Sequence, residues 1–175
     1  MKQKFFAHVF LVMTMVLGAA LSTQSSAHAS SATYFCQSRK GVPTIYVRTA
    51  DGKKKVIMRL KSEEFGSNWN PLRRCNELSS RFQRNHDGGT FRNFSSGRIG
   101  KYRVICATSS ISEECNDRNI LFTLRRGSNP SQTMQRLMDR NGFAAGNTPT
   151  EGDNDSVNIN LDDYIENASV EAEVN

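Results

Sequence analysis

The residues of this 175-residue chain that could do chemistry are four cysteines (Cys36, Cys75, Cys106, Cys115), one histidine beyond the first thirty residues (His86), and a surplus of arginine. No two cysteines have the C-x-x-C spacing. With a single histidine to join them, a zinc site would need four scattered thiolates, and no metal or cofactor is expected. An even number of cysteines in an exported chain reads instead as two disulfides. Cys106 ends one predicted strand and Cys115 precedes the next, so a bridge across that connection is local. Cys36 and Cys75 are then left to join a strand to a helix. Of the three pairings that four cysteines allow, this is the one the order of elements favours. With the thiols oxidised no thiolate nucleophile remains. His86 sits beside Asp87 at a predicted helix end, the Ser pairs lack a G-x-S-x-G context, and no phosphate-binding glycine loop is present. We therefore assign no catalytic residue. A small secreted hydrolase using His86 with neighbouring arginines is the minority expectation.

Charge is the stronger signal. Residues 30–141 contain 21 Lys and Arg against nine acids, a net of +12, whereas 144–175 contain eight acids and no base, a net of −8. A basic exported domain suits an anionic partner such as an envelope polymer or lipid headgroups. Phe91 and Phe94 interleave with Arg92 and Arg98 but no RRM-type signature surrounds them, so nucleic acid is not the expected partner. Oligomeric state leaves no mark in the sequence.

The first 29 residues read as an address. Lys2 and Lys4 precede an apolar run too short to span a bilayer, and Ala27-His28-Ala29 is a small-x-small cleavage site. The expected product is an extracytoplasmic protein, released or held at the envelope.

The helix that should position the chemistry is 70–86 (NPLRRCNELSSRFQRNH). Asn70 before Pro71 is an N-cap followed by proline at the first helical position. At 100° per residue Leu72, Cys75, Leu78 and Phe82 share a packing face with Ser79 beside them. Arg73, Glu77, Arg81 and Arg84 face solvent, and Arg73, Arg81 and Arg84 are the candidate anion-binding residues. Strands are predicted at 33–39, 44–49 and from Val56 to Leu60, with a hairpin at Asp51-Gly52. Phe65 and Trp69, in the loop before the helix, are expected to cover the core. Further strands are predicted at 90–94 and 101–108 around a turn at Ser96-Gly97, then at 118–125, the most apolar run and the expected sheet centre. A second helix, 130–141, should close at Gly142, with Phe143 folding back on Met138. The order β-β-β-α-β-β-β-α predicts an α+β fold: an antiparallel sheet of about six strands, with two helices on one face and two disulfides.

Residues 144–175 read as an acidic disordered tail. Asp153-Asn154-Asp155 fails as a calcium loop, because the fifth, sixth and twelfth positions are Val157, Asn158 and Tyr164. A short strand or helical turn of Asn158 to Ile165 on a partner is the minority expectation, because the stretch has few apolar residues to bury.

Several short blocks carry a resemblance: YFC at 34–36, PLRRC at 71–75 with SSRFQ at 79–83, GRI at 97–99, VIC at 104–106, and LFTLRRGSNPSQTMQRL at 121–137. Together they resemble the cyanobacterial circadian oscillating protein family, over about residues 34–141. The resemblance implies an exported, envelope-associated domain with structural cysteines, and it supplies no activity, cofactor or catalytic residue. The expected function is thus a non-catalytic module that binds anionic polymers or headgroups through a basic face. The alternatives are the phosphodiester hydrolase and an inhibitor presenting the Cys106 to Cys115 loop to an extracellular enzyme.

Overall fold

The computed structural model describes residues 32–60, 70–147 and 155–172. The leader (1–29) and the Phe65 and Trp69 covers lie outside the described residues. The elements run β1 (Thr33–Arg39), β2 (Val42–Arg48), β3 (Lys54–Arg59), α1 (Pro71–Asp87), β4 (Asn93–Ile99), β5 (Tyr102–Thr108), β6 (Ile120–Thr123), α2 (Pro130–Leu137), α3 (Arg140–Gly146), β7 (Asn158–Asn160) and α4 (Leu161–Asn167). They form an α+β fold with two antiparallel sheets, ordered β1-β2-β3 and β6-β5-β4-β7.

The helix α1 forms where its signals place it. The Asn70 side chain accepts from the Leu72 N–H at 2.8 Å, and Gly88 and Gly89 end the helix. Phe82 at its centre is fully buried against Phe91 and Phe94, with ring centroids 5.4 and 5.6 Å away. Cys75, Leu78, Ser79 and Phe82 are buried on the expected face; Leu72, expected beside them, is 47% exposed, and Arg74 is buried in its stead. Both disulfides pair as the element order favours: Cys36–Cys75 ties β1 to α1, and Cys106–Cys115 closes the connection after β5.

Four expectations are corrected by packing. The β4–β5 turn is at Gly100-Lys101 rather than Ser96-Gly97. Gly97 lies inside β4 because a Cβ there would sit 2.6 Å from the Cys115 sulfur, so this glycine makes room for the disulfide. The apolar strand β6 is an edge, not a centre. It covers four residues and, among the described residues, pairs only with β5, while β4 and β5 occupy the middle. The second helix stops at Leu137. Asp139 then caps α3 by accepting from the N–H groups of Asn141 (3.1 Å) and Gly142 (3.3 Å). Gly142 is thus no helix stop. It lets Tyr164 approach, since a Cβ at 142 would meet the Tyr164 carbonyl oxygen and ring at 2.8 Å.

The fourth correction concerns the tail. Residues 155–172 are not a detached disordered segment: β7 pairs with β4 (Phe94 opposite Ile159), and α4 packs on α3. Val157, Ile159, Leu161 and Tyr164 are all buried. The Tyr164 hydroxyl donates to the carbonyl of Ile57 (2.7 Å) and accepts from the N–H of Asp139 (2.8 Å), tying α4 to β3 and to the start of α3. The Lys55 ammonium donates to the carbonyls of Ile165 and Glu166 at the end of α4. Much of the tail's acidity is structural. Asp162 and Asp163 lie in the first turn of α4, where carboxylates complement the helix dipole, and Glu171 pairs with Arg39.

Candidate functional site

The two-residue Gly100-Lys101 loop sets Arg98 directly opposite Arg103, and Ile99 opposite Tyr102. Gly100 adopts φ +56°, as the first position of a tight hairpin of this kind requires. Like charges directly across a strand pair repel, so this register carries a cost in stability. Arg125 and Arg126, in the loop after β6, come to the same place. Together with Lys101, Tyr102 and Leu124 they line an open groove of about 350 Å³. Arg98, Lys101, Arg125 and Arg126 are exposed, and Tyr102 is 54% exposed. The Lys101 ammonium lies 5.5 Å from the Tyr102 ring centre. Arg103 is half buried and faces Asp155 at 3.4 Å, a carboxylate that Asn129 also holds through its amide. Five cations thus converge, with one carboxylate of the tail at their edge. Guanidinium forks on a concave surface suit bidentate recognition of sulfate, phosphate or carboxylate.

The arginines singled out on α1 are only partly assembled. Arg81 and Arg84 line a second cleft of about 330 Å³ with Arg118 and Asp117. Arg81 is already engaged there: it donates to Glu77 at 3.0 Å and to the Leu121 carbonyl at 2.9 Å, fastening α1 to β6. Arg73 is exposed and lies about 12 Å further along the helix at 1.5 Å per residue, outside that cleft. The groove at the hairpin tip was missed for a geometric reason. With a turn at Ser96-Gly97, Arg98 and Arg103 do not face each other. The Arg125-Arg126 dipeptide was the visible signal.

His86 lies elsewhere, in a cleft of about 380 Å³ formed by α1, α4 and the β2–β3 loop. It is half buried, its ring 5.4 Å from that of Tyr34, with Asp87 and Arg92 on the same walls. The Thr49 hydroxyl on that wall is committed to its own turn, bonding Asp51 and the Lys53 carbonyl. The Cys106 to Cys115 loop is braced from within: the Glu113 carboxylate accepts from the N–H and hydroxyl of Ser109 at 2.6 and 2.7 Å. Those bonds hold the Glu113 carboxyl below its usual range. Among the described residues no three His, Cys, Asp or Glu side chains are grouped to hold a metal ion, and no helix is long and apolar enough to cross a membrane.

These features define a small two-disulfide α+β domain, a bonding pattern consistent with an extracytoplasmic location. The profile of the family described as Circadian oscillating protein COP23 matches residues 33–166, and the chain belongs to that family. The matched region runs past Asn141 through β7 and most of α4, so these elements belong to the family's domain rather than lying outside it. No curated protein and no solved structure matches the chain.

Proposed function

We propose that the protein is an exported, non-catalytic module that binds an anionic envelope polysaccharide through the groove at the β4–β5 tip. The observation that carries this reading is the Arg98–Arg103 pair. The fold tolerates a repulsive register there, and the neighbouring Lys101, Arg125 and Arg126 add to the charge rather than neutralise it. A polysaccharide is favoured over a lipid surface because Tyr102 is the one exposed large apolar side chain of the groove, too little to insert into a bilayer.

The test is retention on dextran sulfate at low salt. Arg98→Gln with Arg103→Gln should weaken binding by about tenfold or more, two guanidinium contacts being worth about 1.5–3 kcal/mol together. Arg73→Gln should change it little. A loss of binding free energy from Arg73→Gln half as large as from the double variant, in proportion to the charge removed, would mean that net charge alone is read. Vesicles rich in anionic lipid are the comparison, and tighter binding to them than to dextran sulfate would overturn the choice of partner.

The inhibitor reading keeps one supporting observation: the braced loop presents Ile111, 64% exposed, near its tip. Assaying a panel of extracellular hydrolases with and without the protein tests it, and Ile111→Asp should abolish any inhibition found.

A further inference from the structure

The cleft beneath His86 holds a polar group that the described residues leave unsatisfied. Tyr34 is 5% exposed, and its buried hydroxyl has no hydrogen-bond partner among the described residues. Leaving such a group dry is unfavourable, so a ligand that pairs with it regains what the fold gives up. The hydroxyl lies close enough to the Asp162 carboxylate to feel its charge. Burial first, and then that carboxylate, hold the phenol well above its ordinary pKa, so it stays protonated. Around it stand the aromatic rings of Phe91 and His86, with the carboxylates of Asp51, Asp87, Asp162 and Glu166 on the cleft walls. Two cations line the same cleft. The Lys55 ammonium is spent on the α4 carbonyls, and Arg92 reaches Asp162 only at 3.8 Å. In a domain with a net charge of +12 over residues 30–141, this is a locally acidic, aromatic-walled cavity.

We propose that this cleft is a binding site for a primary ammonium group. Its N–H bonds would run to the Tyr34 oxygen and the Asp162 carboxylate, and its charge would sit against the Tyr34, His86 and Phe91 rings, an arrangement that favours cations. A volume of about 380 Å³ admits a small organic amine. The same chemistry has two sources: a free amine, or the α-amino group that cleavage after Ala29 would leave two residues ahead of Ala32, which lines the cleft.

The test uses the chain beginning at Ser30, with its N-terminus free and with it acetylated. Each is titrated with n-butylammonium while the Tyr34, His86 and Phe91 ring signals are followed by NMR. We expect saturable shifts in the acetylated chain, weakened about five- to tenfold by Tyr34→Phe, the share of one hydrogen bond. The uncharged n-butanol should leave the signals unmoved. Weaker apparent binding in the free chain identifies its own N-terminus as the competitor, and equal binding identifies a free amine as the ligand. Without ligand, Tyr34→Phe should unfold at the same temperature as the parent or higher, because it removes an unsatisfied group. The proposal fails if the acetylated chain shows no saturable shift, if Tyr34→Phe binds as tightly, or if n-butanol binds as well as the amine.

Discussion

The two ends of β4 face opposite chemistries. At its far end Arg98 stands opposite Arg103 in a groove of exposed cations, and just before its start Arg92 borders a cleft of carboxylates and aromatic rings around the Tyr34 hydroxyl. Six residues, about 20 Å of strand, separate them. The difference is drawn largely by the last folded segment of the chain. It lays Asp162 and Glu166 along the cleft and, of its described acids, brings only Asp155 to the edge of the groove. Acidity at one end and basicity at the other are therefore a property of how β7 and α4 dock on β4.

The comparison breaks first if that docking is removed. Val157, Ile159, Leu161 and Tyr164 are buried, and at about 1.5–3 kcal/mol for each large apolar side chain their loss is comparable with the entire stability of a domain this size. A chain ending at Phe143 should show no cooperative thermal transition by circular dichroism. A sharp transition near that of the full chain would mean that the tail only rests on the surface. Next in size are the disulfides. Replacing Cys36 and Cys75 by Ala should lower stability by about 3–4 kcal/mol, and replacing Cys106 and Cys115 by about 2.5, because the closed loops span 39 and nine residues. Denaturant titration of both variants should give this order. The reverse order would show that the loop beside the groove matters more to the fold than the staple of α1.

A smaller effect follows from Asp139, which joins α3 to the end of the tail. Burial alone would raise its carboxyl pKa. The hydrogen bonds from Ser169 and from the N–H groups of Gly142 and Asn141 outweigh burial and hold it below its usual value. A carboxyl whose folded pKa is depressed contributes stability above its unfolded pKa of about 3.9, and that contribution is lost as pH falls through the lower folded value. Asp139→Asn should therefore be less stable than the parent at pH 7 by about 1 kcal/mol, the usual worth of a capping residue, and the gap should narrow below pH 4. A gap that does not change with pH would assign the loss to the cap's shape rather than its charge.

Much of this fold could be read from local patterns, and the failures share a cause. The start of α1 at Asn70-Pro71 and the strand–cysteine order that paired the disulfides are short-range signals. Gly97, Gly142 and the tail are long-range ones. Gly97 exists for a sulfur 18 residues away, and Gly142 for a tyrosine 22 residues away. Both glycines read as turns because only the distant partner reveals them as close contacts. In the tail, the apolar alternation Val157, Ile159, Leu161 with Tyr164 three residues on was present, but it was outweighed by an acid count that the helix dipole and three cations partly explain. The groove inherited the same error, since its register depends on where the β4–β5 turn falls. The Tyr34 hydroxyl carries no sequence signal at all, because an unsatisfied group is a property of its surroundings.

The smallest expected effect bears on whether the two ends act locally. Asp155 and Asp162 each face an arginine, Arg103 at 3.4 Å and Arg92 at 3.8 Å, one at the groove and one at the cleft. Asp155→Asn and Asp162→Asn add the same unit of net charge. If the polysaccharide reads only net charge, both should raise affinity for dextran sulfate equally. If it is held in the groove, Asp155→Asn should raise it by about twofold, within the range that exposed ion pairs allow, and Asp162→Asn should leave it nearly unchanged. Screening shortens to about 3 Å at 1 M salt, so the difference should fade as salt rises. Unfolding temperatures of both variants must match that of the parent, because Asp155 also accepts from Asn129 and Asp162 stands in the first turn of α4. Under that control, a twofold gain confined to Asp155→Asn places the anion between Arg98 and Arg126. Equal gains would leave the opposed chemistries of β4 as a feature of the surface that this ligand does not use.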